Sequence, residues 1–439
     1  MLAALAGAAV LGSEQYGLFA FLTLTVSLLN SFAVPGLAPL VNQAIAATGD
    51  LRRAGALTSV ALSFVAVQLF ICCTGFLLLV DVAKVDWSGQ GNELLQGFGS
   101  AVAVWWTVAT GFGIVISAVF AGHKRFATLA KLTFARAVLV GCTTVTVGAM
   151  YGSATLSAAA AGTAEMAMTA VGLVIVLKAR WLVPAGRHEA MALARSLVRR
   201  AVPAGAAALS INGAAWLLQS LLLSRADGLA ENGGFALASR LSLVVSFLPG
   251  ALANSSITYV AGPSDPLRTR SVVLRVVKIG MAFAVAAALS IVVAANYLPA
   301  LLGPTYEQFS SVIVIMALTG VAVSANHVLG SVAVGLGRIR AWVISDGVLA
   351  AALCILALLL APRYGANGAA IATGFAYAVS AALLAAVLVP RVMKRESTER
   401  DGLPSGDSPF RTVRSPIHQV PMSETVPWGD DEIRRHGVS

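Results

Sequence analysis

Charged side chains are scarce in this chain of 439 residues. Asp, Glu, Lys and Arg make up 11% of it, whereas soluble globular domains carry about 25%. So little charge could not coat two or three soluble domains, although the length would allow that many. Hydrophobic residues reach 58%. The composition therefore excludes most soluble enzymes and disordered proteins, and it predicts a polytopic membrane protein.

Cysteine is equally rare, and the familiar catalytic motifs are missing. The four cysteines are Cys72, Cys73, Cys142 and Cys354; they lie in apolar runs and form no C-x-x-C pair. This placement indicates small buried hydrophobes rather than a disulfide scaffold or a metal site. The chain has no Walker motif, no H-E-x-x-H and no catalytic Ser/His/Asp set. We therefore predict that it is not an enzyme and binds no cofactor or metal beyond a coupling H⁺ or Na⁺.

Basic residues are absent before Arg52, so the N-terminus lacks the positive region of a secretory signal. The first apolar run, 1–11, is shorter than the ~20 residues that a spanning helix needs. We expect it to belong to a longer first helix that the sequence gives only in part.

Apolar segments of spanning length follow along the chain to residue 390. Since backbone groups in lipid must be paired within the segment, each is predicted to be a helix. They lie at 17–47, 54–80, 98–121, 128–150, 154–178, 202–223, 231–258, 272–298, 308–335, 341–361 and 366–390. With the stub at 1–11, the prediction is an all-α integral membrane protein of about twelve helices, the first incomplete. Pro35-Gly36 and Pro249-Gly250 predict kinks.

Lys and Arg fix the expected orientation. Alternate loops and the C-terminal tail carry 25 of the 30 basic residues, and the opposite loops carry only Lys84, Arg225 and Arg363. The positive-inside rule then predicts a plasma-membrane protein with both termini in the cytoplasm. The net charge of +10 is explained by this topology and by contact with anionic lipids, so we expect no nucleic-acid partner.

Four short matches, in the same order and 213 to 217 positions apart, indicate an internal repeat. One pairs Glu14-Gln15-Tyr16-Gly17 with Glu231-Asn232-Gly233-Gly234, and another pairs Tyr151-Gly152 with Tyr364-Gly365. They predict two six-helix bundles of the same orientation, 1–178 and 202–390, joined by a basic cytoplasmic linker, 179–201. The proline-rich remainder, 391–439, is predicted to be disordered. Transporters place their substrate path between such halves.

Polar residues inside the predicted helices are the candidate functional residues, because a membrane tolerates few of them. Arg240 and Arg136, one in each half, would make a cationic cavity suited to pyrophosphate. For Arg136 the structural alternative is an ion pair with Glu165 on the next helix. Asn42 and Asn212 are further candidates for substrate binding. Glu165, Asp346 and His327 are candidates for ion coupling, and for each of them a structural ion pair, cap or packing hydrogen bond is the alternative.

Several strings resemble polysaccharide flippases of the Wzx type. They are 11–19 (LGSEQYGLF), 302–306 (LGPTY), 336–338 (LGR) and, most specifically, 362–373 (PRYGANGAAIAT). The resemblance extends to the superfamily that holds lipid II flippases and multidrug and toxin (MATE) exporters. It implies two six-helix bundles around a central cavity, and it places Arg240 at a position where many members have arginine. Asn42-Gln43-Ala44 departs from the members' R-x-x-A.

The resemblance implies that a polyprenyl-pyrophosphate-linked oligosaccharide is flipped by alternating access for polysaccharide biosynthesis. A glycan polymerase or glycosyltransferases would then be partners. Two alternatives stay open: a cation-coupled small-molecule exporter of the MATE kind, and a non-transporting membrane partner of a glycan synthase.

Overall fold

The computed structural model describes residues 2–34, 36–46, 48, 50–82, 98–261, 266–297, 302–335 and 338–400. The described residues form α-helices and one short 3₁₀-helix, as their apolar runs require in lipid. The α-helices are α1 (Leu2–Ala33), α2 (Leu37–Ala46), α3 (Leu51–Val82), α4 (Phe98–Gly122), α5 (Phe126–Tyr151), α6 (Ala154–Lys178), α7 (Arg187–Leu223), α8 (Gly228–Ala261), α9 (Pro266–Ala294), α10 (Ser310–Gly335) and α11 (Ile339–Arg400). The 3₁₀-helix is Pro304–Phe309.

Ten of these helices are long and apolar enough to cross a membrane. Two of the ten contain a break. Gly12 (φ 72°) divides α1, and Gly365 (φ 57°) divides α11; both φ values lie in the left-handed region that favours glycine. The two breaks account for the predicted stub at 1–11 and for the predicted separation of the last two helices. The all-α membrane fold is confirmed.

The two predicted kinks, at Pro35-Gly36 and Pro249-Gly250, have different outcomes. The predicted helix 17–47 ends early, because α1 stops at Ala33 and α2 begins at Leu37 after Gly36, whose φ is +59°. Pro249 lies inside α8, which is one helix from Gly228 to Ala261.

The turns fall into two groups, one at each end of the helices. We call the end with residues 50–53, 123–125, 179–186 and 338 the basic end. We call the end with residues 12, 152–153, 224–227, 303 and 365 the hairpin end.

The predicted linker differs from the structure. Residues 181–186 are irregular, but α7 begins at Arg187 and runs without a break to Leu223. Trp181 stacks on His123 with ring centroids 4.0 Å apart. Burial, and then the neighbouring Arg125, hold the pKa of His123 below its usual value. The irregular part of the linker is therefore docked on the basic end, and the rest is helix.

Hydrogen bonds at the hairpin end repeat between the halves. The Gln15 Oε1 accepts from the backbone N–H of Ala154 at 3.0 Å. The Glu231 carboxylate, 216 positions after Gln15, interacts with the backbone N–H of Ala366. Glu231 is also paired with Arg225 at 3.0 Å. Equivalent positions of the repeat thus meet the backbone at the hairpin end, Gln15 at Ala154 and Glu231 near Ala366.

Residues 1–393 form the first of two units, and the second begins at Lys394. The division of the first unit into bundles at 179–201 stays a prediction. Helix α11 continues to Arg400, so the first ten residues of the predicted disordered tail are helical. The rest of that prediction, 401–439, lies outside the described residues.

Candidate functional site

Helices α1 and α8 cross in backbone contact at the hairpin end. A Cβ on Gly17 would overlap the Leu229 carbonyl and come within 2.8 Å of the Gly233 nitrogen, and a Cβ on Gly233 would overlap the Ser13 carbonyl. The fully buried Asn232 donates its Nδ2 to the Gly17 carbonyl at 2.7 Å. Small residues permit such backbone contact between membrane helices. The molecule is therefore closed between α1 and α8 at this end.

Helix α7 packs along α1 towards the basic end through two polar contacts. The Trp216 indole donates to the Thr25 hydroxyl at 3.1 Å, and the Asn212 Nδ2 donates to the Ser31 hydroxyl at 2.7 Å. Asn212, a predicted substrate-binding residue, therefore joins helices of the two halves.

Arg240 lies on α8 about 18 Å along the helix from Gly228, at about 1.5 Å per residue. Its side chain is exposed, and its guanidinium interacts with the hydroxyl of Tyr16 on α1. Tyr16 is buried beside Tyr306, whose hydroxyl donates to the Ala8 carbonyl at 3.2 Å. Arg240 makes no ion pair with any carboxylate of the described residues. Its charge is accordingly available to an anion at the boundary between the halves.

Arg136 is placed differently. Its Nε donates to the Glu165 Oε2 at 2.5 Å, and its Nη2 contacts the Glu165 Oε1. Glu165 is only 3% exposed. The structure therefore forms the ion pair that the sequence offered as the structural alternative, and this pair occupies both the predicted anion-binding arginine and one predicted ion-coupling carboxylate.

Asp346 and His327, the other predicted coupling residues, line one cavity of about 400 Å³ between α7, α8, α10 and α11. Asp346 is 5% exposed, and no cation of the described residues lies within ion-pair distance of its carboxylate. Asn326 also lines the cavity and accepts a hydrogen bond from Ser380 at 2.9 Å. The Ser380 hydroxyl lies 2.6 Å from that of Ser345. Two of the three predicted ion-coupling residues therefore share this cavity.

Asn42 lies apart from these groups. It belongs to α2, and its backbone carbonyl is 3.1 Å from the position of a Cβ on Gly122. The structure therefore places Asn42 against α4 at the basic end, and the predicted residues form separate groups rather than one site. A search of the described residues for clusters of three or more metal-ligating side chains finds none.

The family model described as "Polysaccharide biosynthesis protein" matches residues 6–264, which is more than half of the chain. The chain belongs to the polysaccharide biosynthesis protein family. This confirms the resemblance seen in the sequence. No curated protein sequence matches the chain significantly.

Solved structures of the superfamily share the fold of this polysaccharide biosynthesis protein. An inward-facing multidrug resistance MATE family transporter of the MOP superfamily is 15% identical with a TM-score of 0.71, covering 90% of this chain and 94% of that one. Lipid II flippase MurJ in an inward closed conformation is 10% identical with a TM-score of 0.69, covering 91% and 89%. A MOP superfamily transporter from Pyrococcus furiosus is 15% identical with a TM-score of 0.58, covering 90% and 92%. At these identities the likeness concerns the fold alone.

Sequence reasoning missed three interface residues of this family member. Tyr16, Gly17 and Asn232 lie within the two strings that revealed the repeat, so the signal was present. The strings predicted two bundles of the same orientation, and residues of such a parallel repeat can also meet near the axis that relates the halves. Gly17 and Gly233 are 216 positions apart and in contact.

Proposed function

We propose that this protein moves a polyprenyl-pyrophosphate-linked oligosaccharide across the plasma membrane by alternating access, with its basic end and both termini in the cytoplasm. The observation that carries the proposal is the exposed, carboxylate-free guanidinium of Arg240 at the boundary between the halves. An arginine in a membrane helix costs at least about 2.5 kcal/mol without a partner or water. A guanidinium binds phosphate oxygens bidentately, and its interaction with Tyr16 orients it. Membership of the family and the shared transporter fold support the same function.

In the proposed cycle the head group enters from the basic end and is bound by Arg240, while the lipid tail stays in the bilayer. Separation of α1 from α8 at Gly17 and Gly233 then opens the hairpin end. Anionic lipids surround the basic loops, and a glycan polymerase or glycosyltransferases supply or consume the substrate.

Replacing Arg240 by alanine tests the pyrophosphate role. A hydrogen bond to a charged group contributes about 1.5–3 kcal/mol, so we expect translocation to fall roughly 10- to 100-fold. Arg240→Lys should retain part of the rate, because it keeps the charge and loses the bidentate fork. The measurement is transfer of a labelled lipid-linked oligosaccharide between the leaflets of proteoliposomes.

Arg338→Ala is the matched control, because Arg338 is exposed at the basic end. Normal translocation by the Arg240→Ala variant would overturn the assignment. Wild-type proteoliposomes that move no lipid-linked glycan would overturn the proposed function and favour a non-transporting partner of a glycan synthase. Drug export without glycan export would favour the small-molecule exporter.

We also propose that the Asp346–His327 cavity couples transport to H⁺ or Na⁺. Such a coupling site would suit the small-molecule exporter as well as the flippase. Asp346→Asn should abolish the acceleration that an imposed pH or Na⁺ gradient gives, while leaving substrate binding intact. Asp227→Asn, at an exposed carboxylate of the hairpin end, should behave as wild type. An Asp346→Asn variant that still responds to both gradients would exclude this cavity as the coupling site.

A further inference from the structure

A groove on the side of the molecule, near the basic end, is separate from every site described above. It has a volume of about 770 Å³. One wall is the face of α3 that carries Ser63, Phe64 and Val67, and the other is formed by Pro184, Arg187 and Ala194 of the linker and α7. The lining is apolar apart from Arg187 and two serines, Ser59 and Ser63. Such a lining suits a hydrocarbon chain better than a sugar or a nucleotide.

The groove opens towards the bilayer. Helix α3 is among the least buried spanning helices, and next to the groove it exposes Val67 (58%), Phe70 (73%) and Ile71 (64%). Apolar side chains exposed along a spanning helix face lipid. An acyl chain could therefore enter the groove sideways without leaving the membrane.

Charge at the groove's mouth favours an anionic head group. Arg187 lines the groove, and 178–200 holds six Lys and Arg against one acidic residue, Glu189. Helix α7 also begins here: Gly186 is its N-cap and offers no side-chain cap to the first N–H groups. A helix N-terminus beside an arginine attracts phosphate, and basic residues at the membrane surface attract anionic lipid.

The first turns of α7 pack their apolar side on the protein and expose basic side chains. Leu197 is buried, while Arg195 and Arg199 are exposed. These exposed arginines add positive charge beside the groove, which favours an anionic head group.

We propose that this groove binds one anionic phospholipid, with an acyl chain between α3 and α7 and its phosphate at Arg187 and the start of α7. Helix α3 belongs to the predicted first half, and α7 begins in the predicted linker and continues into the predicted second half, so the lipid would contact both helices. The proposal does not depend on which substrate the protein transports.

Native mass spectrometry of the full chain, delipidated and then given equal concentrations of phosphatidylglycerol and phosphatidylcholine with the same acyl chains, tests this site. Wild type should retain one phosphatidylglycerol in preference to phosphatidylcholine. Ala194→Leu fills the groove and should lower that retention at least tenfold, whereas Ala192→Leu, at an exposed position of the same helix, should not change it.

Arg187→Gln should remove the preference for phosphatidylglycerol, and Arg199→Gln, which loses the same charge elsewhere on the helix, should keep it. Ser63→Leu fills the groove from α3 and gives a second variant should Ala194→Leu fold poorly. Equal binding of the two lipids by wild type, or unchanged retention in both groove-filling variants, would overturn the proposal. A polyprenyl phosphate that binds here while phosphatidylglycerol does not would assign the groove to the substrate's tail and overturn it as well.

Discussion

Replacing Gly17 by leucine is expected to prevent the molecule from closing at its hairpin end and to stop transport. The position has no room for a side chain, since a Cβ would overlap the Leu229 carbonyl. The obstacle is backbone of α8, which cannot rotate aside as a side chain would. Overpacking costs about 1–3 kcal/mol even in cores that can adjust, which converts to roughly a 5- to 150-fold shift away from the closed state. Gly233→Leu should act in the same way, because its Cβ would overlap the Ser13 carbonyl.

Cysteine accessibility measures this shift directly. Ala236, one turn along α8 from Gly233, is 6% exposed. In a variant without the native cysteines, Ala236→Cys should resist a membrane-impermeant maleimide added from the hairpin end. The Gly17→Leu change should make it react at least tenfold faster and lower translocation by a similar factor.

Gly75→Leu is the matched control for this experiment. Gly75 is a glycine of α3 with nothing within 4 Å of an added Cβ, so both readouts should equal those of the parent. A Gly17→Leu protein that transports at the parent's rate would show that closure between α1 and α8 is not a step of the cycle.

Removing the guanidinium of Arg136 is expected to have the largest effect on stability. Glu165 would be left buried without its partner, and breaking one side of a buried pair costs about 3–5 kcal/mol. Replacing both residues by apolar ones of similar size leaves no unpaired charge, so Arg136→Met/Glu165→Leu should recover most of that loss. Thermal unfolding of the purified protein in detergent compares the variants. Lys131→Ala, at an exposed position of the same helix, should change little.

The same double variant separates the two roles that the sequence allows for Arg136. If the pair only holds α5 against α6, the double variant should translocate lipid-linked glycan near the wild-type rate. A stable double variant that binds and moves no substrate would return Arg136 and Glu165 to the transport pathway.

The sequence was a good guide wherever the membrane itself dictates structure. Uninterrupted apolar runs had to become helices, and Arg136 needed a carboxylate within reach, which Glu165 supplies from the adjacent helix. Its limits lay in contacts that depend on how helices rotate against each other. Nothing local to Gly17 says that it meets Gly233, and nothing local to Asp346 says that it shares a cavity with His327.

The helical part of the predicted linker was not foreseen, for a different reason. The basic residues after Lys178 predicted a linker without secondary structure of its own, although apolar residues recur at helical spacing at 190, 193, 194 and 197. Charge count outweighed periodicity there. Arg240 was singled out from the sequence as a cation inside a predicted helix, but its interaction with Tyr16 depends on the crossing of α1 and α8.

The uninterrupted course of α7 makes this helix a lever. Its 37 residues extend for about 55 Å at about 1.5 Å per residue. With a fulcrum near its middle, a tilt of about 10° would move each tip by roughly 5 Å, the rise of one helical turn. One tip, Leu223, would move relative to the neighbouring Arg225–Glu231 pair. The other tip, Arg187, would move in the opposite direction and shift one wall of the side groove relative to α3. A tilt of α7 would therefore change the width of the groove between α3 and the start of α7.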